Sequence, residues 1–333
     1  MKKLLSVITA FSVGCLLCGC SLKEALSPYT QEYIVSSLGF EAYGDTYSIS
    51  LEVLMINSED KDAQKLCTVI KGMGENPREA LYNASKSSAL PLLLSHCGVA
   101  IIGESIEKEH FEEIHSFLTD NTQITPSVYL IYTQSAEALL GCEATSSVAV
   151  GYDIMNMLNT RNKADGEQYS CRLYEIDTLK NMPINTFCLP FFEVTDNGFL
   201  ISGGEIFYDN SPALSLTPQQ MTAYLVTTSS QGSGEILLNG QAFWINSYNT
   251  QTMFYMDSVL KINLTLNPRP YNQRLCSDLK TAVADLLRLS VETGKDIFGF
   301  GNIIYRKEKA LWKRIKDSYP EYYKNCKFTV DAL

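Results

Sequence analysis

The sequence predicts an α+β fold, with mixed sheets and helices packed on them, in two or more domains behind a cleaved leader. Three observations predict it. Tyr47–Leu54 alternates Ile49, Leu51 and Val53 with Ser48, Ser50 and Glu52, the period of a half-buried strand. Lys108–Leu118 carries Phe111, Ile114, Phe117 and Leu118 at helical spacing. Ser277–Thr293 sets Leu279, Val283, Leu286, Leu287 and Val291 on one helical face, with Gly294 just past its end.

The leader comes first. Lys2 and Lys3 give a short positive start, and Leu4–Leu17 is an apolar run without charge. That order is a secretory signal. It closes on Leu17-Cys18-Gly19-Cys20, which resembles a bacterial lipoprotein signal. The resemblance implies cleavage after Gly19 and a mature chain that begins at Cys20, with lipid on its sulfur and on the new amino terminus. A plain signal peptide or a membrane anchor is the other reading. The apolar run is short for a span, which needs about 20 residues. An ordinary signal also leaves Gly19-Cys20 unexplained. Gly14-Cys15 is a weaker cleavage candidate, because Ser12 sits where a leucine is wanted.

Ile34–Leu38 and Tyr47–Leu54 read as a hairpin around Gly44-Asp45, and Leu66–Lys71 as a further strand. Asn76 caps a helix that begins at Pro77, with Glu79 three residues after the cap. Gly98–Gly103 is a short buried strand, Val128–Tyr132 another, and Ala136–Leu140 a helical turn. Thr145–Lys180 has only weak periodicity. Asp196-Asn197-Gly198 is a strong turn signal. The domain boundary is placed there, giving a leader at 1–19, an α/β domain at 20–195 and an α+β domain at 196–333. In the second part, Phe199–Tyr208 is a strand with a glycine break, and Thr217 caps a helix at Pro218. Glu235–Ile245 and Thr252–Leu266 alternate like strands. Ser277 is read as the cap of the long helix, and Phe328-Thr-Val as a last short strand.

The net charge of −10 argues against a nucleic-acid-binding surface and against adhesion to anionic lipid. Seven cysteines follow Cys20, an odd number without a C-x-x-C pair, so zinc and thioredoxin-like readings lack their spacing. Buried free thiols are favoured over disulfides, which export would permit. His96 and Cys97 are neighbours on what reads as a strand and point apart. His110 and His115 stand five apart, the wrong spacing for a shared metal on a helix. No G-x-S-x-G elbow occurs. Gly72-x-Gly74, Gly232-x-Gly234 and Gly299-x-Gly301 are partial glycine signatures read as turns. These patterns assign no catalytic residue, no cofactor and no metal.

Several stretches in shared order resemble one family, the C-component lipoproteins of bacterial spore germinant receptors, Ger(x)C. They are Gly74–Leu81, Ser95-His96 with Val99–Glu104, Phe117–Asp120, Ala136–Leu140, Gly203–Phe207 and Leu216–Gln220. The most specific is Thr293-Gly-Lys-Asp-Ile-Phe-Gly-Phe-Gly301 with Trp312, similar to the family's Asp-x-Phe-Gly-x-Gly…Trp signature. Three departures stand out: Glu41 after Gly39-Phe40, a missing arginine before Asp120, and an early stop at Leu333. The resemblance implies a non-enzymatic, lipid-anchored subunit on the extracytoplasmic face of the spore inner membrane. Its partners would be two integral-membrane receptor subunits, one of them permease-like, and it would support germination through assembly or signalling. Trp312, Tyr319 and Tyr322 are candidate contacts, with burial in the core favoured. An extracytoplasmic solute-binding lipoprotein of a transporter is the alternative, and a surface hydrolase a third reading.

Overall fold

The computed structural model describes residues 32–55, 66–164, 170–229 and 231–333. A large mixed sheet runs in the order β3-β2-β1-β5-β6-β7-β8-β9, with β4 also on β1. Its strands are β1 (Tyr33–Tyr43), β2 (Thr46–Met55), β3 (Leu66–Gly74), β4 (Leu92–Leu93), β5 (Val99–Gly103), β6 (Tyr129–Thr133), β7 (Thr186–Thr195), β8 (Gly198–Tyr208) and β9 (Ser211–Leu216). β1, β5, β6 and β7 are parallel to one another, and hairpins add antiparallel strands on both flanks. A second sheet has the order β10 (Gln231–Leu238), β11 (Gln241–Met256), β12 (Leu260–Arg269), β13 (Lys327–Ala332). The fold is therefore α+β with mixed sheets, as the sequence predicts.

Helices cover both faces of the large sheet. On one face lie α1 (Pro77–Lys86), α2 (Lys108–Asp120) and α5 (Leu173–Leu179), packed on Leu38, Phe40, Ile49, Leu51 and Leu130. The other face carries α3 (Ala136–Leu140), α4 (Val150–Ala164) and α6 (Pro218–Thr228). From there one apolar core continues into the second sheet and α7 (Gln273–Thr293). Three short helices, α8 (Phe300–Lys307), α9 (Lys309–Ile315) and α10 (Tyr319–Lys324), lead to β13.

Coverage on both sides corrects the expectation for β2. Ser48, Ser50 and Glu52 do not face water. They are buried beneath the second helical layer. Local chemistry sets the other elements. Asn76 caps α1 by accepting from the Glu79 N–H (2.9 Å), and Thr217 and Gln220 form a capping box on α6. α7 starts at Gln273, capped by Asn272 and not by Ser277: the Asn272 side chain accepts from the Leu275 N–H at 3.0 Å. Two helices, α4 and α5, fill the stretch of weak periodicity. The expected run Glu235–Ile245 is broken by a turn at Asn239-Gly240, where both residues have positive φ. Asp196 and Asn197 form the turn between β7 and β8, which pair within one sheet, so the expected 195/196 boundary falls inside a hairpin.

The glycines Gly72 and Gly74 do not form a turn. They lie in β3 where α1 crosses it. A Cβ on Gly72 would sit 2.2 Å from the Ala80 carbonyl oxygen, so only glycine permits the contact.

Candidate functional site

Gly19 and Cys20 lie outside the described residues. Among the described residues no helix is long and apolar enough to cross a membrane, and no group of three metal-ligating side chains occurs. The histidines do not converge. His96 ends a short 3-10 turn, not a strand, and is exposed while Cys97 is buried. His110 lies 3.1 Å from the Gly44 carbonyl through Nε2. The acids on α2 face solvent as expected, but His115 turns inward, with Nε2 3.1 Å from Asp177 Oδ1. Burial pushes the His115 imidazole below its usual range, and the nearby Lys180 adds to this. The seven cysteines are all free thiols, and Cys67 alone is exposed.

Two buried carboxylates organise the polar interior. The first is Glu52, 1 % exposed on β2. Its Oε1 accepts from the Val150 N–H (2.6 Å) and its Oε2 from the Gly151 N–H (2.8 Å), the first two amides of α4. These are the groups that a helix cannot satisfy for itself, at its positive end. Ser36 and Ser37 both donate to Oε2, at 2.6 and 3.1 Å. They can do so because β1 has a bulge between Val35 and Ser37, which turns two successive hydroxyls toward one carboxylate. Although Cys67 is exposed as a residue, its Sγ turns toward Glu52, 3.6 Å from Oε1, and partial loss of water around the sulfur together with the Glu52 charge pushes the thiol up to about 12. A thiol held neutral in this way is a poor nucleophile. Asp153 secures the same helix end by accepting from the Thr145 and Ser146 N–H groups (2.6 and 3.1 Å). Burial alone would raise its carboxyl, but these bonds and the serine hydroxyls take it down to about 2.

The second is Asp296, 1 % exposed, in the signature that the sequence singles out. It accepts from the Phe300 N–H (3.0 Å), the Gly301 N–H (2.8 Å) and the Tyr319 hydroxyl (2.8 Å). Burial raises its carboxyl above the usual range, and these bonds pull it partly back. Gly301 is a close-approach position: a Cβ would lie 2.7 Å from Ile184 Cγ1 and 2.9 Å from Tyr319 Cε1. Asn302 then accepts from the Ile184 N–H (2.9 Å) and donates to the Ile184 carbonyl (2.7 Å). The signature thus docks α8 on the segment leading into β7. Trp312 packs on Tyr305 and Tyr319, with centroids 6.1 and 5.3 Å apart. Tyr319 and Tyr323 are core, and Trp312 and Tyr322 are half-buried.

The signal for Asp296 was visible in the sequence as acid, glycines and indole. Glu52 was missed, because its partners stand 98 and 99 residues away. Glu41, one of the departures, accepts from the Ser135 hydroxyl (2.7 Å) and ties β1 to the start of α3.

The family model described as the spore germination protein N-terminal domain matches residues 27–194. The one described as spore germination B3/GerAC like, C-terminal, matches residues 245–332. No curated protein matches the chain. The fold is similar to the crystal structure of the GerBC protein, at 14 % identity and a TM-score of 0.54, covering 89 % of this chain and 95 % of that one. The chain belongs to the spore germination family of GerAC-like proteins, the C components of germinant receptors.

Proposed function

We propose that this chain is a lipid-anchored, non-enzymatic subunit of a nutrient germinant receptor, held on the extracytoplasmic face of the spore inner membrane through Cys20. The observation that carries the reading is the match of both family models, in order, behind a leader that ends Leu17-Cys18-Gly19-Cys20. The polar interior supports a structural body. Glu52, Asp153 and Asp296 are each engaged by helix or loop amides of the chain itself. Lipid at Cys20 confines the body to one membrane face and raises its effective concentration beside two integral subunits, one of them permease-like. A single acyl chain holds only marginally, so a second chain or the partners complete the attachment.

Mild-detergent extracts of spore membranes test the assembly. Isolation of the tagged chain should recover two integral-membrane proteins in constant ratio. Recovery of the chain alone, from extracts in which those subunits stay together, would contradict it.

A further inference from the structure

The start of β10, the middle of β11 and the end of β12 form a polar hollow of about 630 Å³, a size typical of small-ligand sites. Cross-strand register builds it. Gln231 pairs with Asn249, and Asn249 with Asn267, so three primary amides stand in one row across three strands. Ser247 pairs with Arg269 in the next row. Between Gly232 and Gly234 a bulge sets Ser233 against both Asn246 and Ser247, and both of the latter are exposed on the outer face. Trp244, two residues before Asn246, lies on that face with 67 % of its surface exposed.

The fold leaves these groups unused. Among the described residues, the side chains of Gln231, Asn246, Asn249, Asn267 and Arg269 make no hydrogen bond to protein. Elsewhere Asn76, Asn272 and Asn302 spend their amides on caps and on the Ile184 clamp. No carboxylate lines the hollow itself, in a chain of net charge −10; beyond its rim, Glu235 stands opposite Trp244 across β10 and β11.

The chemistry selects a ligand. A primary amide offers donor and acceptor together, which matches hydroxyl groups. A guanidinium only donates, in a fork that fits a carboxylate. An exposed indole supplies a flat apolar surface for the C–H face of a pyranose ring. We propose that this hollow binds an oligosaccharide bearing a carboxylate, with the amide row on its hydroxyls, Arg269 on its carboxylate and Trp244 against a ring face. The site is separate from the anchoring reading and stands or falls without it.

Calorimetric titration of the full chain in detergent tests it, with tetragalacturonate, free galacturonate and the neutral tetramer of N-acetylglucosamine as probes. Tetragalacturonate should bind, with the monosaccharide and the neutral tetramer about tenfold weaker or more. Arg269→Gln and Asn249→Ala should each weaken it about tenfold, and Trp244→Ala by at least as much, all at the parent melting temperature. Three results would overturn the proposal: no heat with any probe at millimolar concentration, equal affinity for the neutral tetramer, or affinity unchanged in Trp244→Ala. The last would mark an adventitious polyanion contact only.

Discussion

Glu52 and Asp296 face the same physical problem and solve it over different ranges. Each is a carboxylate buried in a largely apolar setting, where an unpaired charge is strongly disfavoured. Each is met by amides at the start of a helix and by hydroxyls, not by a cation. Asp296 takes its amides from residues four and five positions ahead, then reaches Tyr319. Glu52 takes its amides from a helix that begins 98 residues later. The local acid shapes one turn and, through Gly301 and Asn302, clips two parts of the chain together. The distant acid fixes where a whole helix lands on the large sheet. Loss of Glu52 should therefore be felt across the fold, and loss of Asp296 mainly at the joint with Ile184.

Glu52→Ala is the harshest way to break this comparison. It strands two helix amides and two serine hydroxyls, and should cost about 3–5 kcal/mol in urea unfolding. Hydrogen exchange should speed up most in α4. Asp296→Ala should cost less, about 2–3 kcal/mol, because it strands one hydroxyl where Glu52→Ala strands two, and burial already disfavours the Asp296 charge. Exchange should rise in α8 and leave α4 protected. Equal exchange changes in both helices for both variants would erase the distinction. Asn302→Ala removes two bonds to Ile184 and should cost about 1–2 kcal/mol, with Gly301→Ala similar through overpacking.

Acidification sharpens the contrast at smaller scale. The Asp153 carboxyl is depressed in the folded state, to about 2. Its contribution is complete above the unfolded value of about 3.9 and is lost as pH falls through about 2. Asp296 is raised, so the folded state favours the protonated form, and its ionisation weakens folding as pH rises from about 3.9 through the folded value. Relative to the parent, Asp153→Asn should gain in acid and Asp296→Asn should lose. Urea midpoints between about pH 2 and 7 read both slopes. Slopes of the same sign would contradict the assignment of one carboxylate as stabilised ionised and the other as strained.

The regular parts of the fold were legible because one rule governed each. β2 alternates just after a glycine turn, and α2 and α7 each carry a single apolar stripe. α4 was hidden. Its N-terminal end is held by Glu52 and Asp153, and its buried positions include Gly151 and Asp153 themselves, so no apolar stripe marks it in the sequence. Ser48, Ser50 and Glu52 spelled a wet face, yet a helix layer covers them, because short-range alternation does not reveal what packs above a strand. Asn239-Gly240 was a missed hairpin signal of the strongest kind. The Asp296 signature could be recognised but not interpreted from sequence, since Ile184 and Tyr319 meet it only in space.

The central claim is that a structural body with these two internal anchors is itself anchored to the membrane by lipid on Cys20. Fractionation of spores carrying Cys20→Ala tests it most directly. The account predicts that the variant leaves the inner-membrane fraction or falls in abundance, with germination impaired. Membrane residence and abundance equal to the parent would contradict it.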